Sequence, residues 1–95
     1  MFARIATFES DPSRIDESIE MVRGEVAGGT PEGLKGAKML MLVDRKSGKG
    51  MGITLFESEE AMRRGDEALN AMDPGLTERR TSVEFYEVPV ETISG

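Results

Sequence analysis

The sequence predicts an α+β fold in which one antiparallel sheet of four strands carries two helices on a single face. Three observations predict it. Ile15, Ile19, Val22 and Val26 recur at spacings of four, three and four, one apolar helix stripe directly after the start signal Asp11-Pro12. Two β-favouring runs, residues 38–44 and 51–57, flank a polar turn that contains glycine. A second helical pattern and a closing strand-like run then give the order strand–helix–strand–strand–helix–strand.

Residues 2–9 alternate β-favouring side chains and form the first strand. Asp11 is placed as N-cap and Pro12 at the first helical position, because the carboxylate accepts N–H groups that a helix start leaves unpaired. Met21 widens the apolar stripe, and Gly28-Gly29 ends the helix by offering the left-handed backbone conformation. Thr30-Pro31-Glu32-Gly33-Leu34 reads as a turn-rich connector. The second strand, residues 38–44, carries Met39, Leu40, Met41, Leu42 and Val43 in succession and is apolar on both faces.

Arg45-Lys46-Ser47-Gly48-Lys49-Gly50 is a hairpin turn into the third strand, residues 51–57. Ser58 caps the second helix, and Glu59 and Glu60 complement the positive end of its dipole. That helix carries Ala61, Met62, Ala68, Leu69 and Met72, and Asp73-Pro74-Gly75 stops it. Gly65 in its interior costs up to ~1 kcal/mol against Ala, which predicts a close packing contact there. Residues 82–90 form the last strand, with Pro89 marking its end or a sheet edge. This is the ferredoxin-like βαββαβ order, and it takes residues 1–95 as one domain.

The chain has 95 residues, and at that size it buries only roughly 60–65% of its unfolded surface. Oligomerisation is the expected supplement. Twelve Lys and Arg against 18 Asp and Glu leave a net charge of -6. This argues against a nucleic-acid backbone or an anionic membrane as partner, since either needs clustered positive charge. With no Cys and no His, thiol nucleophiles, disulfides, Cys/His zinc sites, His-ligated haem and imidazole acid–base pairs are excluded together. The apolar fraction of 38% and charged fraction of 32% fit a soluble protein. No apolar run approaches the ~20 residues of a membrane span. The first residues lack the basic head, apolar stretch and small-residue site of a secretory signal, so the cytoplasm is the expected compartment.

The second strand is the most informative element. At a sheet edge, a solvated strand with no polar face would be an aggregation site. A second copy of the chain, laid on the open face of the sheet, resolves this. At roughly 25 cal/mol per Å² of apolar surface removed from water, a few such side chains supply several kcal/mol. The reading is a homodimer; the alternative is that these residues cover ordinary core of their own chain.

This order, with Phe56-Glu57-Ser58-Glu59-Glu60-Ala61-Met62 closing the third strand and opening the second helix, resembles the dimeric α+β barrel superfamily. Within it the chain looks most like the small antibiotic-biosynthesis monooxygenase-like proteins. The turn at residues 44–50 and Val83-Glu84-Phe85-Tyr86-Glu87-Val88 add to the likeness. The resemblance implies a homodimer whose paired sheets form a barrel, with a pocket in each subunit between sheet and helices. Some members of that group oxidise small aromatic or polyketide-like substrates with dioxygen and no metal or flavin, which implies such an oxidation with no cofactor here; related members degrade haem, and others have no assigned activity. Phe56 stands where relatives commonly place an aromatic pocket residue, and Asn70, on the second helix, is the only Asn.

Four residues are the site candidates: Arg4 and Tyr86 as catalytic groups, Thr54 and Phe56 as substrate-binding groups. Arg4 shares a strand face with Phe2, Ala6 and Phe8, and an Arg among apolar neighbours is expensive unless paired. It either anchors an anionic or phenolic ligand or pairs with Glu84 or Glu87 on the last strand. Tyr86 either orients a ligand and polarises a phenolate together with Arg4, or packs its ring and sends its hydroxyl to water. Thr54 either lines the pocket or fills a strand position as a β-branched residue. Glu57, Glu59 and Glu60 belong to the helix start, and no calcium-loop spacing is present.

The seven Met are flexible core or pocket filler, since a thioether-only copper site needs more than these residues supply. Lys49-Gly50-Met51-Gly52-Ile53-Thr54-Leu55-Phe56 echoes the third-strand motif of RNA-recognition domains. Met51 and Ile53 occupy its stacking positions and the chain is acidic, which argues against that role. No phosphate-loop motif is present. Two functions fit these residues: an oxygenase acting in a dry pocket, and a non-catalytic dimer that binds a small hydrophobic molecule.

Overall fold

The structure is a computed structural model that describes residues 1–29, 32–71 and 78–92. Strand β1 (Phe2–Ser10) leads through a 3-10 turn (Pro12–Arg14) into helix α1 (Ile15–Ala27). A second 3-10 turn (Glu32–Leu34) precedes the hairpin of β2 (Lys38–Val43) and β3 (Lys49–Phe56), and α2 (Glu59–Asn70) and β4 (Glu78–Glu87) follow. The strands pair antiparallel in the order β2-β3-β1-β4, the ferredoxin-like arrangement.

Directly opposed residues of antiparallel strands point to the same side. Phe2, Arg4, Ala6 and Phe8 of β1 face Phe56, Thr54, Gly52 and Gly50 of β3, and this side carries the helices. Met39, Met41 and Val43 extend it across β2. The core gathers at the α2 end, where Leu34, Phe56 and Met62 are buried with Phe2, Ala61, Ala68 and Leu69 packed on them. Leu34, expected in a simple connector, is therefore a core residue. Gly65 makes the close contact expected of it: a Cβ there would run into the Phe56 ring. Ser58 caps α2, its Oγ accepting from Ala61 N at 3.1 Å.

Several boundaries differ from the sequence reading. Asp11 caps the 3-10 turn, accepting from Ser13 N at 2.9 Å, and α1 begins only at Ile15. Gly29, with φ 105°, supplies the left-handed residue after α1, while Gly28 stays in the helical region. The last strand is not residues 82–90. It begins at Glu78 and ends at Glu87, because β4 pairs along the whole of β1, through a register irregularity between Thr7 and Phe8. Its first residues, Arg79, Arg80 and Thr81, are exposed, so their polarity concealed the strand. Thr30, Pro31, Met72 and the stop at Asp73-Pro74-Gly75 lie outside the described residues.

β2 is an edge strand, and no element among the described residues packs closely over it: Met39 to Val43 are 37–49% exposed. The alternative that these residues form ordinary intrachain core is thereby overturned. No helix among the described residues is long and apolar enough to cross a membrane.

Candidate functional site

A cavity of ≈ 500 Å³ lies between α1 and the sheet. Ile15 and Ser18 bury the first turns of α1 against the sheet, and the helix stands off beyond them. Met21 and Val22 of α1 form its roof, Met39 and Met41 of β2 one wall, and Ala6, Gly50 and Gly52 its floor. These groups are apolar. Arg4, Thr54, Asn70 and Arg80 form a polar end to the space, and Ser10, Ser18, Glu25 and Lys49 also border it.

Arg4 is 4% exposed and is paired, but not as the sequence suggested. Its Nε donates to Asp66 Oδ1 at 2.7 Å and its Nη2 to Asn70 Oδ1 at 3.1 Å, both on α2. Neither expected partner pairs with it: register turns Glu84 to the other face, and Glu87, on the same face, makes no ion pair with Arg4. Phe85 is the residue opposite Arg4, while Glu84 opposes Ile5 and Glu87 opposes Phe2. Arg80 Nη1 donates to the same Asn70 Oδ1 at 2.6 Å. Asp66 and Asn70 are four apart and share a face of α2 near its C-terminal end, where the helix dipole favours cations. Arg80 has no carboxylate within ion-pair distance among the described residues. Among the described residues the two guanidinium groups share one ion-paired carboxylate, which leaves a positive charge at this end of the cavity that a ligand anion can meet.

Thr54 is 2% exposed, lies opposite Arg4 and borders the cavity. The structure thus brings Arg4 and Thr54 together. Phe56 is placed elsewhere: its ring belongs to the core beneath Gly65 and does not line the space. Tyr86 opposes Ala3, one residue along from Phe85, and so stands on the open face of the sheet, away from Arg4. Its hydroxyl donates to Glu84 Oε2 at 2.6 Å. That hydrogen bond, with the charge of Glu84, pushes the phenol above its ordinary value of 10.0 and keeps it a proton donor.

Sequence reasoning missed Asp66 and Arg80. Asp66 reads as one more charge on the polar face of a helix. The available signal was the spacing of Asp66 to Asn70, which puts a carboxylate and the only Asn on one face beside a strand Arg. Arg80 offered no signal, because its segment did not read as strand. Among the described residues no group of three or more Asp or Glu is placed to hold a metal ion.

No family model matches the chain, and no curated protein matches it. Solved structures do. One is a variant of MhuD with two manganese protoporphyrin IX molecules bound per active site, at TM-score 0.69 and 17% identity over 99% of this chain and 100% of that one. A second is an antibiotic biosynthesis monooxygenase, at TM-score 0.60 and 18% identity over 93% of this chain and 98% of that one. A third, from Deinococcus radiodurans and assigned to the same group, has TM-score 0.59 and 14% identity over the whole of both chains. The chain has the ferredoxin-like fold of the antibiotic biosynthesis monooxygenase-like proteins.

Proposed function

We propose that this protein is a cytoplasmic homodimer that takes a small aromatic or polyketide-like molecule with an ionisable hydroxyl into each cavity and oxidises it with dioxygen, without a cofactor. The single observation that carries the reading is the pairing of a largely apolar cavity with the Arg80 guanidinium at one end, which makes no ion pair among the described residues. An ionised ring oxygen held by Arg80 and Thr54, beside the Arg4–Asp66 pair, pushes electron density into the ring and makes a ring carbon able to reduce oxygen. In the overall step a ring CH₂ becomes a carbonyl. One atom of O₂ enters the product, and the other leaves as water with both hydrogens. The names of two structural neighbours support oxygenation as the reaction class.

The dimer reading rests on the open face of the sheet. Ile5, Ile53 and Leu40 stand in one row across three strands, and Met51 and Leu42 in the next but one. Leu40 and Leu42 are 45% and 44% exposed in the single chain. Such a surface is protected from edge-to-edge association when a second copy lies on it.

Oxygen uptake with a panel of hydroquinones and anthrones tests the reaction. Turnover above the protein-free rate, reduced at least tenfold in Arg80→Gln, is the expected result. Absence of turnover in a folded dimer would sink the oxygenase reading. A second reading, a non-catalytic binding dimer, is favoured by one observation: Asp66, the carboxylate at the polar end, is already engaged by Arg4. Asp66 is therefore not free to take a proton from a ligand. Native mass spectrometry decides between them: a dimer that retains an unchanged hydroxylated aromatic while consuming no oxygen is the second protein, not the first.

A further inference from the structure

We propose that Gly52 sets the shape of what the cavity admits, and that the room it leaves is for a flat, fused-ring hydroxylated molecule lying face-down on β3. The inference rests on the reading of this cavity as the ligand site, and adds the residue that determines its specificity. On the helix-facing side β3 presents Thr54, then Gly52, then Gly50, with Ala6 of β1 and Met41 of β2 directly beside Gly52.

Nothing in the backbone demands glycine at 52. The glycines with positive φ among the described residues are Gly29, Gly36 and Gly48. Packing does not demand it either, because a Cβ on Gly52 would meet only Phe8 Cε2, at an ordinary 3.9 Å. Gly50 differs, since a Cβ there would come within 3.3 Å of the Leu42 carbonyl oxygen. A glycine inside a strand weakens it, having neither β-propensity nor a side chain to pack. At position 52 the sequence bears that weakening and gains only space, and the space opens into the cavity.

The shape of the space follows. From Gly50 to Thr54 the floor runs about 13 Å, at ~3.3 Å per strand residue. Gly50, Gly52 and Ala6 raise nothing above a methyl group, and the Phe8 ring, opposite Gly50 and 3.9 Å from the Cβ position of Gly52, gives this floor an aromatic border. A flat ring system can lie on such a floor, with its hydroxyl directed to the end where Arg4, Thr54 and Arg80 stand. Met39 and Met41 beside it, and Met21 above, are polarizable and adapt to an aromatic face.

Equilibrium dialysis with two probes tests this: 1,8-dihydroxyanthraquinone, with three fused rings, and hydroquinone, with one. Gly52→Val is expected to weaken the three-ring probe at least tenfold and hydroquinone less than threefold, with Tm unchanged or up to ~5 °C higher. Gly52→Ala, which adds one methyl group, is expected to show a smaller loss for the three-ring probe alone. Variants that bind the three-ring probe as the parent does, lose both probes equally, or lose binding only in step with a falling Tm overturn the proposal. Arg80→Gln separates the two levels of argument. If it weakens both probes while the Gly52 variants change neither, the cavity is the ligand site and the role of Gly52 is refuted. If the parent binds neither probe, or Arg80→Gln alters neither, the site itself is wrong and this proposal falls with it.

Discussion

Helices α1 and α2 cover the same face of one sheet in opposite ways. α2 is drawn down onto β3 because Gly65 has no side chain to hold the Phe56 ring away. Gly33 does the same for the preceding turn, where a Cβ would sit 2.9 Å from the Ala68 Cβ and 3.0 Å from the Arg64 carbonyl oxygen. The Arg4–Asp66 bond then ties the helix to the central strand. α1 is held at its first turns by Ile15 and Ser18 and is free further along: a Cβ on Gly24 would meet nothing within 4 Å, and Val26 is 67% exposed. A second opening of ≈ 460 Å³ lies on its outer side, against Met41 and Val43. One fold thus devotes its α2 half to stability and its α1 half to space. The polar end of the cavity is borrowed from the rigid half, which is where preorganised donors are best held.

The comparison breaks first at Asp66. Asp66→Ala leaves the Arg4 guanidinium buried without its carboxylate, and we expect a loss of about 3 kcal/mol, read as the shift of a urea unfolding midpoint at constant slope. Asp66→Asn keeps an acceptor and should lose less than half as much. An Ala variant as stable as the parent would show that the ion pair does not hold α2 down.

A smaller and sharper test sets one glycine against another. Gly65→Ala forces the Phe56 ring to move and should cost about 2 kcal/mol. Gly24→Ala, in the interior of α1 with open space around it, should stabilise by ~0.5–1 kcal/mol. The same substitution in two helices of one chain is expected to give opposite signs by thermal or urea unfolding. Equal effects would mean that the two helices are packed alike.

The α2 half was the more legible in the sequence. Gly65 announced its contact, Ser58 its cap and Met62 its buried face, because packing leaves marks in periodicity. The cavity was legible only through its walls: Met39 and Met41 on one strand face, and Arg4 and Thr54 among apolar neighbours. Its polar end was not, because Asp66, Asn70 and Arg80 meet there from a helix and a strand far apart in the chain. Which carboxylate reaches Arg4 depends on how α2 is rotated over the sheet, and a charge on a polar helix face carries no sign of that rotation. The reading of Arg4 against Glu84 or Glu87 searched the neighbouring strand, where register puts Phe85. Phe56 was misplaced for a related reason. A strand-end aromatic is equally apolar in a core or a pocket, and the glycine above it decided the matter.

The least effect expected is that of acid, and it falls on the α1 half. Asp11 caps the turn into α1, and Asp44 closes the β2–β3 hairpin. Ser10 N joins the two by donating to the Gly48 carbonyl oxygen at 2.9 Å. The Asp11 carboxyl is held below its ordinary 3.8 chiefly by the Ser13 hydroxyl, and Asp44 chiefly by the backbone N–H of Lys46. A carboxylate depressed on folding contributes stability that is fully present above its unfolded value. That contribution disappears as pH falls through the lower folded value, so the loss begins near 3.8 and continues below it. Asp11→Asn and Asp44→Asn should therefore be less stable than the parent at pH 7, with the gap closing toward pH 3 as Tm is followed downward. Amide hydrogen exchange locates the effect: acid should speed exchange around residues 11–16 and 44–49 before it reaches β3 beneath α2. A gap that stayed constant from pH 7 to pH 3 would mean that the two carboxylates act through shape and not charge. Uniform exchange across the molecule would mean that the two halves open together, and the distinction between them would be one of packing alone.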